Sequence, residues 1–225
     1  MLHGTKLEER KARAKKIVAF LKKKYPAPKT ELNYTTPFQL VVAVLMSAQC
    51  TDKVVNRITE PLFKKYKTPK DFANADLETL TKEISSVTFF RNKARAIIAA
   101  AKVVEQNFSG NVPKSVEELI TLPGVAYKTA NVVLGELYDQ WEGIPTDTHV
   151  KRFAYRFDLT NHTDLYKISK DLEALVPKKD WRFVNNGFVL YGRYICKANK
   201  HDCTVHELTA IWPESRDRWL KITRA

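Results

Sequence analysis

The stretch Leu122-Pro123-Gly124-Val125-Ala126-Tyr127-Lys128-Thr129-Ala130 decides how this chain is read. Ser115 and Glu118 form a capping-box pair ahead of Leu119 and Ile120, so a short helix leads into it. The Pro-Gly turn ends that helix. A second helix is expected from about Thr129 to Tyr138, with Ala130, Val133, Leu134 and Leu137 on its buried face. A tight turn entering a helix aims unpaired backbone N–H groups outward at the positive end of the helix dipole. That is an arrangement for holding phosphate. Gly124, Ala126 and Thr129 are the expected contacts, with Lys128 beside them.

Outward from this turn the periodicity stays helical. Ala14, Ile17, Val18, Leu21 and Tyr25 form one stripe, and Pro26 and Pro28 stop that helix. Thr36-Pro37 and Thr68-Pro69 are start signals, a capping residue followed by proline at the first helical position. Ala94, Ile97, Ile98, Ala101, Val104 and Phe108 make another stripe. Further helices are expected near Thr148–Phe157, Leu165–Leu175 and Asp180–Ile195. Alternating strand patterns are scarce, so the fold class is all-α, with roughly ten helices. The best places for the chain to cross between domains are Tyr138 to Pro145 and Pro26 to Lys29.

Composition narrows the function. The 225 residues carry 38 basic and 25 acidic side chains, a formal net charge of +13, which favours a polyanionic partner. The runs Lys11 to Lys16 and Lys22 to Lys24 also suit the wet face of a helix. Seven glycines argue against a turn-rich sandwich and a dinucleotide-binding loop. No apolar run approaches the roughly 20 residues that cross a bilayer. Three cysteines are too few for a disulfide scaffold, and Met1 to Tyr25 lacks the pattern of a signal peptide. A soluble intracellular, cytoplasmic protein is expected, with no membrane partner.

Three more segments complete the pattern: Ser47-Ala48-Gln49-Cys50-Thr51-Asp52, Thr146-Asp147-Thr148-His149 and Gly192-Arg193-Tyr194-Ile195-Cys196. With the central turn as a helix-hairpin-helix, the chain resembles the endonuclease III family of DNA glycosylases from about residue 7 to 212. The resemblance implies two helical domains, residues 27–141 and residues 1–26 with 142–225, and an active site in the cleft between them. It implies a monomeric bifunctional glycosylase and abasic-site lyase of base excision repair. Such an enzyme excises oxidised pyrimidines from duplex DNA and cuts the abasic strand by β-elimination.

In that setting Lys128 is the expected nucleophile, because an amine attacking C1′ forms the Schiff base that β-elimination requires. Asp147 is the expected carboxylate partner, and it is equally a good N-cap for the helix that follows. The resemblance places Gln49 and Phe89 in the space left by an extruded nucleotide, with Phe90 an alternative to Phe89 and burial in the core an alternative for both. Ser47, Asp52 and His149 fall at pocket or cap positions, and Arg193, Lys197 and Lys200 at DNA contacts. Two departures stand in the hairpin itself. Ala126 replaces the usual second glycine and Tyr127 a common basic residue, so a slightly reshaped turn is expected.

Many family members carry a [4Fe–4S] cluster on four cysteines spaced x6, x2 and x5. Here those positions are Cys196, Cys203, His206 and Trp212, and tryptophan offers iron no suitable lone pair. No cluster and no other cofactor are expected, with Trp212 filling the volume. A zinc site from Cys196, Cys203, His206 and His201 is the alternative. For function, the alternatives are a noncatalytic helix-hairpin-helix DNA-binding protein and a monofunctional mismatch glycosylase. Lys128 argues against the second, which has no amine at this position.

Overall fold

The computed structural model describes residues 2–219. In chain order the helices are α1 (Leu2–Lys24), α2 (Pro37–Ser47), α3 (Asp52–Lys65), α4 (Pro69–Ala73), α5 (Leu77–Glu83) and α6 (Phe90–Phe108). They continue as α7 (Val116–Leu119), α8 (Tyr127–Tyr138), α9 (Thr148–Arg156), α10 (Leu165–Leu175), α11 (Trp181–Tyr194) and α12 (Glu207–Ile211). Two short 3-10 turns, Lys178–Asp180 and Pro213–Asp217, follow α10 and α12. No strand occurs among the described residues. The chain is all-α. It divides into two compact units, Thr30–Gln140 and Met1–Lys29 with Trp141–Ala225.

In the unit Thr30–Gln140, α2 is the hydrophobic axis, with every residue from Phe38 to Met46 buried. Thr36 caps it through the N–H of Gln39, and the Gln39 side chain returns to the cap backbone. Around it α6 buries Ala94, Ile97, Ala100, Ala101 and Val104, and α8 buries Ala130, Val133 and Leu134. Ser115 caps α7 as its sequence implied, accepting from the N–H of Glu118. One helix of this unit, α5, was not expected; Asp76 caps it, and Thr51 caps α3.

The turn before α8 is held by Gly124, whose φ of +83° lies in the left-handed region. A Cβ there would stand 2.9 Å from the Ala96 Cβ and 3.2 Å from Leu45 Cδ2, so glycine also lets the turn press onto α6 and α2. Ala126 departs from expectation. Its φ is −89° in extended backbone, and it serves as the N-cap of α8. Because that position needs no positive φ, alanine does not reshape the turn. The helix also starts at Tyr127, two residues earlier than expected, which makes Lys128 its second residue.

The other unit packs α1 against α10, α11 and α12, and α9 against α10 and α11. Ala14, Ile17, Val18 and Leu21 are its inward stripe, as the periodicity required. Phe153 of α9 stacks on Phe188 of α11, centroids 5.0 Å apart, and meets Phe157 and Tyr191. Gly192 lets α11 approach α9: a Cβ there would meet His149, and would stand 2.6 Å from the Arg152 guanidinium and 3.0 Å from the Phe153 ring.

The two glycine-like positions of the hairpin make opposite predictions. Gly124→Ala meets both strain and collision and should lower unfolding stability by about 1–3 kcal/mol. Ala126→Gly, at an N-cap, should stay within a few tenths of a kcal/mol of the parent or exceed it. Urea denaturation of the two variants checks both.

Candidate active site

Lys128 sits in the first turn of α8 with its side chain exposed. Ala126 has no side chain that can cap this helix, unlike the residues before α2, α3 and α9. The first-turn N–H groups therefore lack the hydroxyl or carboxylate that closes those other helices. An uncapped positive end beside a lysine suits a phosphate and an amine chemistry together. Thr129 is half-buried next to it, and Asn131 fastens the turn by donating to the Tyr127 carbonyl at 3.0 Å.

Within the same unit a second feature forms around the C-terminal end of α2. Gln49 and Phe89 both adopt left-handed backbone, φ +54° and +56°, and both are exposed. Their loops are tied together by Thr88, whose hydroxyl donates to the Gln49 carbonyl at 3.0 Å. Phe89 is 60% exposed, which removes it from the core. Phe90 is the one that packs inward, half-buried under the Arg91 guanidinium. Ser47 ends α2 and donates back to the Val44 carbonyl at 2.9 Å, while Asp52 opens α3 behind its cap Thr51. Thr51 takes the capping role that Ser47 and Asp52 were offered.

A residue the sequence did not mark holds this feature in place. Lys93, 8% exposed, donates its ammonium to the carbonyls of Met46 at 2.8 Å and Ala48 at 2.5 Å. It thereby satisfies the carbonyl end of α2, where a cation also complements the helix dipole. Burial pushes the Lys93 ammonium below the usual lysine range, and the neighbouring Cys50 works weakly the other way. Only the fold brings α6 across the end of α2, so no local signal announces this lysine.

In the other unit Asp147 is the N-cap of α9. A single oxygen, Oδ1, accepts from the N–H groups of His149 and Val150, each at 2.8 Å. Both helix donors thus use one oxygen, which leaves Oδ2 outside the cap. His149 lies half-buried in the first turn, its Nδ1 3.4 Å from the Arg152 guanidinium. Arg152 is buried and donates to the carbonyls of Cys196 at 2.6 Å and Lys197 at 2.8 Å, tying the chain after α11 to α9. Arg193 is half-buried at the end of α11, and Lys197 and Lys200 are exposed on the following loop.

That loop gathers the four residues of the alternative zinc reading into one cluster. One ligand-capable atom from each of Cys196, His201, Cys203 and His206 lies within 4.8 Å of the others. His201, rather than Trp212, completes the group. Trp212 is half-buried against the core of this unit, its ring under the Arg13 guanidinium 4.1 Å away. The expectation of a site without metal is therefore not supported, since two sulfurs and two imidazoles gather where a metal can bind.

Residues 42–178 match the model of the HhH-GPD superfamily base excision DNA repair proteins. The chain is 42% identical to the endonuclease III of Synechocystis sp., over 94% of this chain and 96% of that protein. It is 40% identical to the endonuclease III of Bacillus subtilis, over 86% and 89%. The chain belongs to the endonuclease III family. A solved structure of a trapped endonuclease III–DNA covalent intermediate superposes with a TM-score of 0.85 at 36% identity, covering 92% of this chain and 98% of that one. A thermostable thymine-DNA glycosylase, at 20% identity and a TM-score of 0.74, shares the fold. The protein is thus a DNA-binding base excision repair glycosylase of the class with abasic-site lyase activity. No helix among the described residues is long and apolar enough to cross a membrane.

The cluster usual in the endonuclease III family does not fit the donors present. A [4Fe–4S] cluster takes four thiolates. This chain has three cysteines in all, and Cys50 lies in the other unit. A cubane also holds its ligands at its outer corners, farther apart than the compact group formed here.

If Lys93 fixes the Gln49 and Phe89 loops, Lys93→Met should leave a soluble helical protein with two carbonyls short of a charged donor. Its unfolding stability should fall by about 1–3 kcal/mol, and its affinity for abasic-site duplex should drop, measured by urea denaturation and fluorescence anisotropy.

Proposed function

We propose that this endonuclease III family member excises oxidised pyrimidines from duplex DNA and then cleaves the abasic strand, with Lys128 as the nucleophile. The observation that carries the reading is an exposed amine in an uncapped helical first turn, directly after a left-handed glycine turn. Phosphate bound by the first-turn N–H groups of α8 fixes the strand, and the Lys128 Nζ lone pair attacks C1′ of the extruded nucleotide. The N-glycosidic bond breaks and the base leaves with a proton. Opening of the C1′–O4′ bond gives an iminium between Nζ and C1′. The iminium acidifies C2′, whose proton is lost as the 3′-phosphate departs and a C2′–C3′ double bond forms. Water then hydrolyses the imine and returns the amine.

Asp147 contributes a carboxylate that is held by its own helix. With Oδ1 engaged in the α9 cap, Oδ2 is left to offset positive charge at C1′ and to move protons to and from Nζ. Gln49 and Phe89 fill the vacated stack, a role their exposure and shared Thr88 tether support. Ser47, Asp52 and His149 line the base pocket, and Arg193, Lys197 and Lys200 grip phosphates. The enzyme acts as a monomer on damaged or abasic duplex, and the steps above use only amine, carboxylate and water.

Borohydride reduction on an abasic-site duplex tests the reading. The intact protein should give a covalent adduct, and Lys128→Ala should reduce it to background while still binding the duplex. Asp147→Asn, which keeps a capping oxygen, should slow base release by about 10²–10⁴-fold. Adduct formation by Lys128→Ala at the parental level contradicts the assignment. Base release from thymine glycol and dihydrouracil duplexes, set against uracil and oxidised guanine, checks the substrate class.

A further inference from the structure

We propose that Cys196, His201, Cys203 and His206 form a four-coordinate structural site for one zinc-class divalent ion. The four ligand atoms lie within 4.8 Å of one another. A tetrahedral ion with Zn–S of about 2.3 Å and Zn–N of about 2.0–2.1 Å sets ligand-to-ligand edges of about 3.3–3.8 Å, so the group has to draw in by only about an ångström. Two thiolates with two imidazoles is a donor set that zinc accepts readily.

The imidazoles are already arranged as metal ligands. His201 Nδ1 stands 2.6 Å from the Asn199 carbonyl and donates to it, which assigns the lone pair to Nε2. That Nε2 is buried and has no hydrogen-bond partner. His206 Nδ1 is likewise buried and without a partner. Two orphaned imidazole nitrogens beside two cysteine sulfurs are unfavourable unless an electron-pair acceptor lies among them.

Arg156 supplies a third, independent line. Its side chain is 1% exposed, and its guanidinium donates to Cys196 Sγ at 2.7 Å, to Cys203 Sγ at 3.0 Å and to the Ser215 carbonyl. Among the described residues no carboxylate accepts from it. A buried cation forked onto two sulfurs is balanced when those sulfurs carry the negative charge of metal-bound thiolates. Arg152 holds the carbonyls of Cys196 and Lys197, so α9 steadies the loop from two sides. The ion would pin this loop, with its exposed Lys197 and Lys200, between the ends of α11 and α12.

The test is metal and acid-labile sulfide analysis of the full-length protein purified from cells supplied with both iron and zinc. About one zinc per chain and no sulfide are expected. Replacement by cobalt(II) should give the visible bands of a tetrahedral site with a sulfur-to-cobalt charge-transfer band. His201→Ala should weaken zinc binding by more than about tenfold, whereas His162→Ala should leave it unchanged. Stoichiometric iron with sulfide overturns the proposal, as does a protein that takes up no zinc after incubation and desalting. Parental zinc affinity in His201→Ala overturns the four-ligand assignment. Should the variants fail to fold, the cobalt spectrum of the intact chain still decides.

Discussion

The arrangement rests on a single left-handed residue. Gly124 turns the chain with φ +83° while packed where a methyl group would collide with Ala96 and Leu45. That close approach fixes where α8 begins, and therefore which residue occupies its second position. Everything proposed about the chemistry follows from Lys128 being placed by a rigid turn rather than by a mobile loop. A helix of this length gives a lysine no precision by itself. The precision comes from the buried core of α2 and α6 beneath the turn.

Two helix N-termini are used in opposite ways. At α9 a carboxylate closes the end, so Asp147 is held by two backbone donors through one oxygen. At α8 alanine leaves the end open. The first arrangement orients an acid and the second leaves donors for an anion, which is how one physical feature, the uncompensated N–H groups of a first turn, serves both. The basic excess is similarly divided. Lys93, Arg152 and Arg156 are buried and bond to carbonyls and sulfurs, so part of the charge of +13 organises loops instead of meeting phosphate.

What was legible in the sequence was what is local. Thr36-Pro37, Thr68-Pro69 and Ser115 mark helix starts through their own side chains, and the structure has helices there. The limits of α10 match its apolar periodicity. Pro61 inside α3 obscured how far that helix runs beyond its start, and short α5 and α12 have too few turns for a stripe. Gln49 and Phe89 have left-handed backbone that neither residue type favours, so no local preference announced it. Lys93 looked like any helical lysine, and His201 stood outside the regular ligand spacing until the loop folded it against Cys196, Cys203 and His206.

The most direct test of the central claim is to map where the sugar becomes attached. Reduced adduct between the intact protein and an abasic-site duplex, digested with protease and nuclease, should yield a peptide whose deoxyribose remnant lies on Lys128 by tandem mass spectrometry. A remnant on any other lysine, or on the α-amino group, would contradict the account, because the turn at Gly124 would then aim an amine that does no chemistry.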